Sequence, residues 1–136
     1  MKTRIEDIAT IIASAIWADN VYDEAEKITV EEIADALELD EKAFKKAVDA
    51  QVKALEKMTD NHANAAMMDA AEAVDDEEIG IVYEAAMQML LADGELTASE
   101  VSNLLVMANA LGIEEEMAIL LLADMVKTEP EMNIKF

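Results

Sequence analysis

Two short stretches of this sequence carry carboxylates at spacings that could hold a hard cation: ADNVYDEAE at 18–26 and ADGELTASE at 92–100. The candidate ligands are Asp19, Asp23, Glu26, Asp93 and Glu100. Ligands that offer only oxygen favour calcium, magnesium or manganese over zinc. The second stretch also matches the latter half of an EF-hand loop, but Met89 and Leu91 stand at loop positions 1 and 3. Because these side chains cannot coordinate a cation, a complete EF-hand loop is excluded.

Helix capping is a second explanation for three of these five carboxylates. Asp23 with Glu26, and Thr97 with Glu100, have capping-box spacing, in which two side chains bond the exposed amides of a new helix. Capping accounts for these four residues without any ligand. Both explanations stay open at this point.

Asp19 and Asp93 are harder to explain by helix formation alone, because each stands where a helix is predicted to end. A carboxylate there faces the negative end of the helix dipole, which is unfavourable by about 0.3–1 kcal/mol. Aspartate tolerates the left-handed backbone of such turns, so a turn role is one alternative. The other is a bound cation that offsets the repulsion at both corners.

The elements that position these corners are predicted to be helices, since Ala, Leu, Ile and Met dominate a chain with one proline and three glycines. We expect an all-α single domain of about seven helices. The predicted helices span about 3–18, 23–36, 40–57, 63–74, 75–92, 97–111 and 114–126, and an irregular tail follows at 128–136. Thr3 with Glu6 and Asp75 with Glu78 also have capping-box spacing.

An internal repeat relates the two halves of the chain at an offset of 74 residues. Trp17-Ala18-Asp19-Asn20 falls on Leu91-Ala92-Asp93-Gly94, and similar residues continue to match through the following helices. We interpret this as two three-helix units, about 3–57 and 76–126, joined by the short fourth helix and related by a pseudo-two-fold axis. A unit of about 55 residues makes a marginal core alone, so one domain is expected. If the axis brings the corners together, all five carboxylates converge on one site.

The charge is strongly negative, with 31 acidic against 10 basic residues and a net charge of −21. Nucleic acid and anionic membrane surfaces should repel such a chain, whereas cations and basic protein partners complement it. Solubility alone is a second explanation for the acidity. The chain has no cysteine, no clean signal peptide and no stretch suited to span a membrane, so we expect a cytoplasmic protein without direct membrane insertion.

Catalytic chemistry finds little support in the sequence. His62 is the only histidine and stands in a predicted turn, so a serine triad or a di-iron site would lack its usual partners. Ten methionines suit helical core packing, or alternatively an adaptable apolar surface for partner helices. We therefore expect a non-enzymatic protein.

The two corners, A-D-x-x-x-D-x-x-E at 18–26 and A-D-G-x-x-T-x-x-E at 92–100, resemble the TerB-like family. That family includes tellurite-resistance TerB proteins and the N-terminal domain of DjlA-type co-chaperones. The resemblance covers essentially the whole chain and implies an all-α fold with internal pseudo-symmetry. It also implies a divalent-metal site at Asp19, Asp23, Glu26, Asp93 and Glu100, and a stress-response role within a membrane-associated assembly. The chain departs from the pattern at Asn20, which replaces glycine, and at Thr97, which lacks the carboxylate of Asp23.

The sequence thus predicts a non-enzymatic acidic domain that binds divalent metal at its paired corners. The alternative is a metal-free adaptor that meets a protein partner through an acidic face and a methionine-rich apolar surface.

Overall fold

Side-chain caps mark the starts of most helices in this chain. The computed structural model describes residues 2–19, 23–92, 95–127 and 133–135. Seven α-helices lie in this part of the chain: α1 (Ile5–Asp19), α2 (Glu24–Ala36), α3 (Glu41–Glu56), α4 (Asp60–Glu72), α5 (Ile79–Leu90), α6 (Ala98–Ala110) and α7 (Glu115–Lys127). A 3-10 turn at Asp76–Glu78 precedes α5. The predicted all-α single domain is confirmed.

The core is built around α1, which packs against α3, α4, α5 and α6. Its isoleucines Ile8, Ile11 and Ile12 are fully buried, together with the alanines between them. An α-helix that is apolar on every side is stable only when other helices surround it. The same central helix carries Asp19 at its C-terminal end, so it positions the first acidic stretch.

The two interhelical junctions that follow α2 and α6 have the same backbone hydrogen bonds. The Leu39 amide donates to the Ala34 carbonyl at 2.8 Å, and the Ile113 amide donates to the Ala108 carbonyl at 2.8 Å. Each junction is a Schellman motif, whose central residue has a left-handed backbone. That residue is Gly112, with φ of 83°, in one junction and Glu38, with φ of 57°, in the other. Glu38 and Gly112 are 74 positions apart, the offset of the predicted repeat.

The last helices of the two halves pack differently. α3 lies along α1 in the most extensive helix–helix contact within the described residues, whereas α7 packs mainly against α6. The buried residues of α3 are Phe44, Val48, Val52 and Leu55, and those of α7 are Ala118 and Leu122. Thus α3 belongs to the core and α7 lies at its edge.

Local predictions are wrong at three places. At the first, Thr3 does not form a capping box with Glu6, because α1 begins at Ile5 and the Thr3 hydroxyl donates to the carboxylate of Glu78. That carboxylate also accepts from the amides of Lys2 and Thr3 at 2.9 and 2.8 Å, while the Asp75 amide donates to the Thr3 hydroxyl at 2.9 Å, so the predicted capping box of Asp75 with Glu78 does not form either. These hydrogen bonds hold Lys2 and Thr3 against the start of α5.

The second difference is at α4, which begins at Asp60, inside the turn predicted between the third and fourth helices. Thr59 caps this helix, with its hydroxyl accepting from the amide of His62 at 3.2 Å. The third difference is in the tail predicted to be irregular, where Asn133–Lys135 forms strand β2. β2 pairs in parallel with β1 (Glu95–Thr97), which directly precedes α6.

Candidate metal-binding corners

The first acidic corner, residues 18–26, turns the chain from α1 into α2. Asp23 is the N-cap of α2, and its Oδ1 accepts from the amides of Ala25 and Glu26 at 3.0 and 3.5 Å. In return, Oε2 of Glu26 accepts from the amide of Asp23 at 3.2 Å. The predicted capping box is therefore confirmed at this corner. It uses one oxygen of each carboxylate.

The second oxygen of Glu26 lies in an unusual environment. The residue is only 1% exposed, and Oε1 is buried without a hydrogen-bond partner among the described residues. Burial raises the pKa of Glu26 to about 7, and the neighbouring Asp23 carboxylate adds to the rise. Hydrogen bonding with Glu26 in turn holds the pKa of Asp23 below its usual value. The corner thus contains a carboxyl group whose charged form is poorly stabilised by the described protein atoms.

The second acidic corner, residues 92–100, turns the chain from α5 into α6 with a related but less acidic arrangement. The Thr97 hydroxyl is the N-cap and accepts from the amide of Glu100 at 3.2 Å. Oε1 of Glu100 accepts from the amide and the hydroxyl of Thr97 at 3.0 and 2.9 Å. This capping box is confirmed too. Glu100 is 4% exposed, so the same position is buried at both corners.

The remaining predicted ligands fall outside the described atoms. Asp93 lies outside the described residues, and so does the side chain of Asp19, whose backbone ends α1. Among residues 2–19, 23–92, 95–127 and 133–135, no three Asp, Glu, His or Cys side chains are grouped so as to hold a metal ion. Asp23, Glu26 and Glu100 therefore do not form such a group on their own. Convergence of the five carboxylates stays a prediction.

Other candidate groups lie away from the corners. His62 is exposed in the first turn of α4, not in the predicted turn. The methionines divide between core and surface: Met67, Met87, Met89 and Met107 are buried, whereas Met68 and Met117 are exposed. Within the described residues, no helix combines the length and apolarity needed to cross a bilayer.

Sequence reasoning missed the surface of α7. Leu120 is 64% exposed and Met117 is 52% exposed. Leucine and methionine at helical spacing are usually typical of core packing. One signal was present, because Ile119 and Leu120 fall 74 positions after Lys45 and Lys46. Lysines at the matching positions of α3 indicate an outward-facing surface.

Comparison with models of known protein families, with curated proteins and with solved structures returns no match to this chain.

Proposed function

We propose that this chain is a non-catalytic helical domain that binds a divalent cation at its acidic corners, with calcium, magnesium or manganese preferred over zinc. One observation carries the proposal: Oε1 of Glu26 is buried and has no hydrogen-bond partner among the described residues. A buried carboxylate oxygen without a hydrogen bond costs about 1–3 kcal/mol or more. A cation at this oxygen would remove that cost and stabilise the charged carboxylate.

The surrounding residues support the same chemistry. The Asp23 carboxylate adjoins Glu26 and is exposed, so a cation reaching Glu26 would meet a second negative group. Asp19 is three residues beyond Ile16 at the end of α1, on the far side of the same turn. A calcium ion takes six to eight oxygens, so backbone carbonyls and waters would complete the set. The stress-response role implied by the TerB-like resemblance is part of this proposal and is carried by the motifs at 18–26 and 92–100.

The test is titration calorimetry and thermal melting of the purified protein with calcium, magnesium, manganese and zinc. We expect one of the oxygen-preferring cations to raise the melting temperature. Glu26→Gln should abolish that rise, since glutamine keeps the capping oxygen and loses the charge. Asp19→Asn combined with Asp93→Asn should do the same.

Asp40→Asn is the matched control, because Asp40 is an N-cap aspartate on α3 away from both corners. It should leave cation binding unchanged. If no cation binds more tightly than about 1 mM, or if Glu26→Gln binds as the parent protein does, the corners are only helix caps.

A further inference from the structure

The outer surface of α7 carries apolar side chains where a solvated helix would carry polar ones. Met117, Leu120, Leu121 and Asp124 follow the i, i+3, i+4, i+7 spacing of a single helix face. Leu120 is 64% and Met117 52% exposed, and Leu121 is partly buried. At the positions 74 residues earlier, α3 has Ala43, Lys46, Ala47 and Ala50. We call Met117, Leu120, Leu121 and Asp124 the α7 stripe.

A groove runs beside the α7 stripe, between α7 and α5. It has a volume of about 240 Å³ and is lined by Glu84, Met87, Leu121, Asp124 and Met125. The residues 74 positions earlier on α1 are Thr10 and Ala13, where α3 packs closely. Met87 and Leu121 are larger than Ala13 and Ala47 at the matching positions. Because the distance between helix axes depends on the side chains at the contact, residue size is a sufficient reason for a groove here.

The two charged residues that line the groove are both negative. Glu84 and Asp124 line it, and Glu114, Glu115 and Glu116 are exposed at the start of α7. The sequence has no lysine or arginine between Lys57 and Lys127. An occupant must therefore cover leucine and methionine side chains while it presents positive charge to the rim.

We propose that the α7 stripe and the adjoining groove form a docking site for an amphipathic helix of a partner protein, apolar on one face and flanked by lysine or arginine. Methionine and leucine at such a face adapt to helices of varied shape. A second copy of this chain complements the site poorly. Each copy has a net charge of −21, and the large apolar side chains of α3 are buried, so they are not available beside its lysines to cover the stripe. The docking site is independent of the cation site.

The probe is a synthetic helix of leucine and lysine only, apolar on one face and about 14 residues long to match the 13 residues of α7. Binding is measured by fluorescence anisotropy of the labelled peptide at about 150 mM salt, where long-range charge attraction is screened. A scrambled peptide of the same composition keeps the charge and loses the apolar face. We expect the amphipathic peptide to bind at least about tenfold more tightly than the scrambled one.

Variants of the protein locate the binding. Leu120→Gln combined with Met117→Gln should lower the affinity for the amphipathic peptide at least about tenfold. The circular dichroism spectrum should stay unchanged, because both residues are exposed. Ile119→Gln is the matched control, since Ile119 is exposed at the opposite edge of α7. It should bind the peptide as the parent protein does.

The two acidic residues of the groove are tested separately. Glu84→Gln combined with Asp124→Asn should weaken peptide binding and reduce its salt dependence, whereas Asp69→Asn on α4 should do neither.

Three outcomes would overturn the proposal. Equal binding of the scrambled peptide would assign the attraction to net charge. Equal weakening by Ile119→Gln would place the binding elsewhere. A dimer in sedimentation experiments that Leu120→Gln dissociates would assign the stripe to a second copy. None of these outcomes depends on added cation, so failure here leaves the cation proposal standing.

Discussion

The segments 23–56 and 97–127 begin and turn alike, yet only the first ends in a helix that packs along the central helix α1. Each starts with a capping box, at Asp23 and at Thr97, and each passes through a Schellman motif into a second helix. The helix reached is α3 in the first case, packed along α1, and α7 in the second, packed mainly against α6. The backbone hydrogen bonds of the two Schellman motifs match, whereas the packing of the helix that follows them differs.

The comparison separates two levels of information in the chain. Caps and left-handed residues determine where a helix begins and ends, and they depend on a few residues close together in sequence. The packing of that helix depends on side-chain size at positions far apart, such as Ala13 on α1 against Met87 on α5. A change at one level should therefore leave the other intact, and three experiments test this from the largest effect to the smallest.

The strongest contrast is expected between identical substitutions in the two last helices. Leu55→Ala on α3 removes a side chain that is fully buried, and we expect a loss near the upper end of about 2–5 kcal/mol in free energy of unfolding. Leu122→Ala on α7 should fall near the lower end, because a helix at the edge of the core can move to fill the space. Urea denaturation followed by circular dichroism measures both. Equal losses would mean that α7 is as firmly packed as α3.

A smaller difference in free energy of unfolding is expected between glutamate substitutions at the two corners. Burial raises the folded-state pKa of Glu26 from the ordinary 4.5 to about 7, so its contribution to stability is fully present below pH 4.5 and is lost as the pH rises through 7. Glu26→Gln should flatten this dependence, whose slope is at most about 1.4 kcal/mol per pH unit. It should also stabilise the cation-free protein at pH 8 by about 1–3 kcal/mol.

Glu100→Gln is the matched variant at the other corner. Its partner Thr97 is neutral and donates a hydroxyl hydrogen bond at 2.9 Å, which favours the charged carboxylate. The substitution should therefore give less stabilisation at pH 8 than Glu26→Gln does. Melting temperatures of both variants are measured between pH 5 and pH 8. If Glu100→Gln stabilises the protein as much as Glu26→Gln does, the two corners do not differ in this way.

The smallest contrast is expected at the junctions. Gly112→Ala should cost about 1–2 kcal/mol through the left-handed backbone alone, since no atom lies within 4 Å of the added methyl group. Glu38→Gly should instead stabilise by about 0.5–1 kcal/mol, because it relieves the same strain. Glu38→Gln removes the charge but keeps a side chain on the left-handed backbone, so the free energy of unfolding should change little. A loss of stability in Glu38→Gly, measured by chemical denaturation, would contradict this account.

Much of the fold could be predicted because its signals are local. The N-caps Asp23 and Thr97 lie where the spacing indicated, and α3 and α6 lie close to the predicted ranges 40–57 and 97–111. The misses have equally definite causes. Thr59 was the cap of α4, hidden in a polar segment, and the Thr3–Glu78 hydrogen bond joins residues too far apart in sequence for any local pattern to predict.

The candidate site was predictable only in part. Capping-box spacing identified the pairs at both corners, but the burial of Glu26 depends on helices that pack over it from elsewhere in the chain. Glu38 was missed as a junction residue because glutamate rarely adopts a left-handed backbone. The exposed stripe of α7 was missed because leucine and methionine at helical spacing usually indicate a core.

The central position of α1 has a consequence for biosynthesis. Every residue from Ile8 to Ile16 is buried, yet this helix leaves the ribosome before any of the helices that cover it. At about 5–20 residues per second, several seconds pass between the translation of α1 and that of α6, and until then part of the surface of these nine consecutive, mostly apolar residues lacks its native partners. We therefore expect this nascent segment to be a binding site for chaperones. A soluble fusion partner placed before residue 1 should raise the yield of folded protein in cells more than one placed after residue 136.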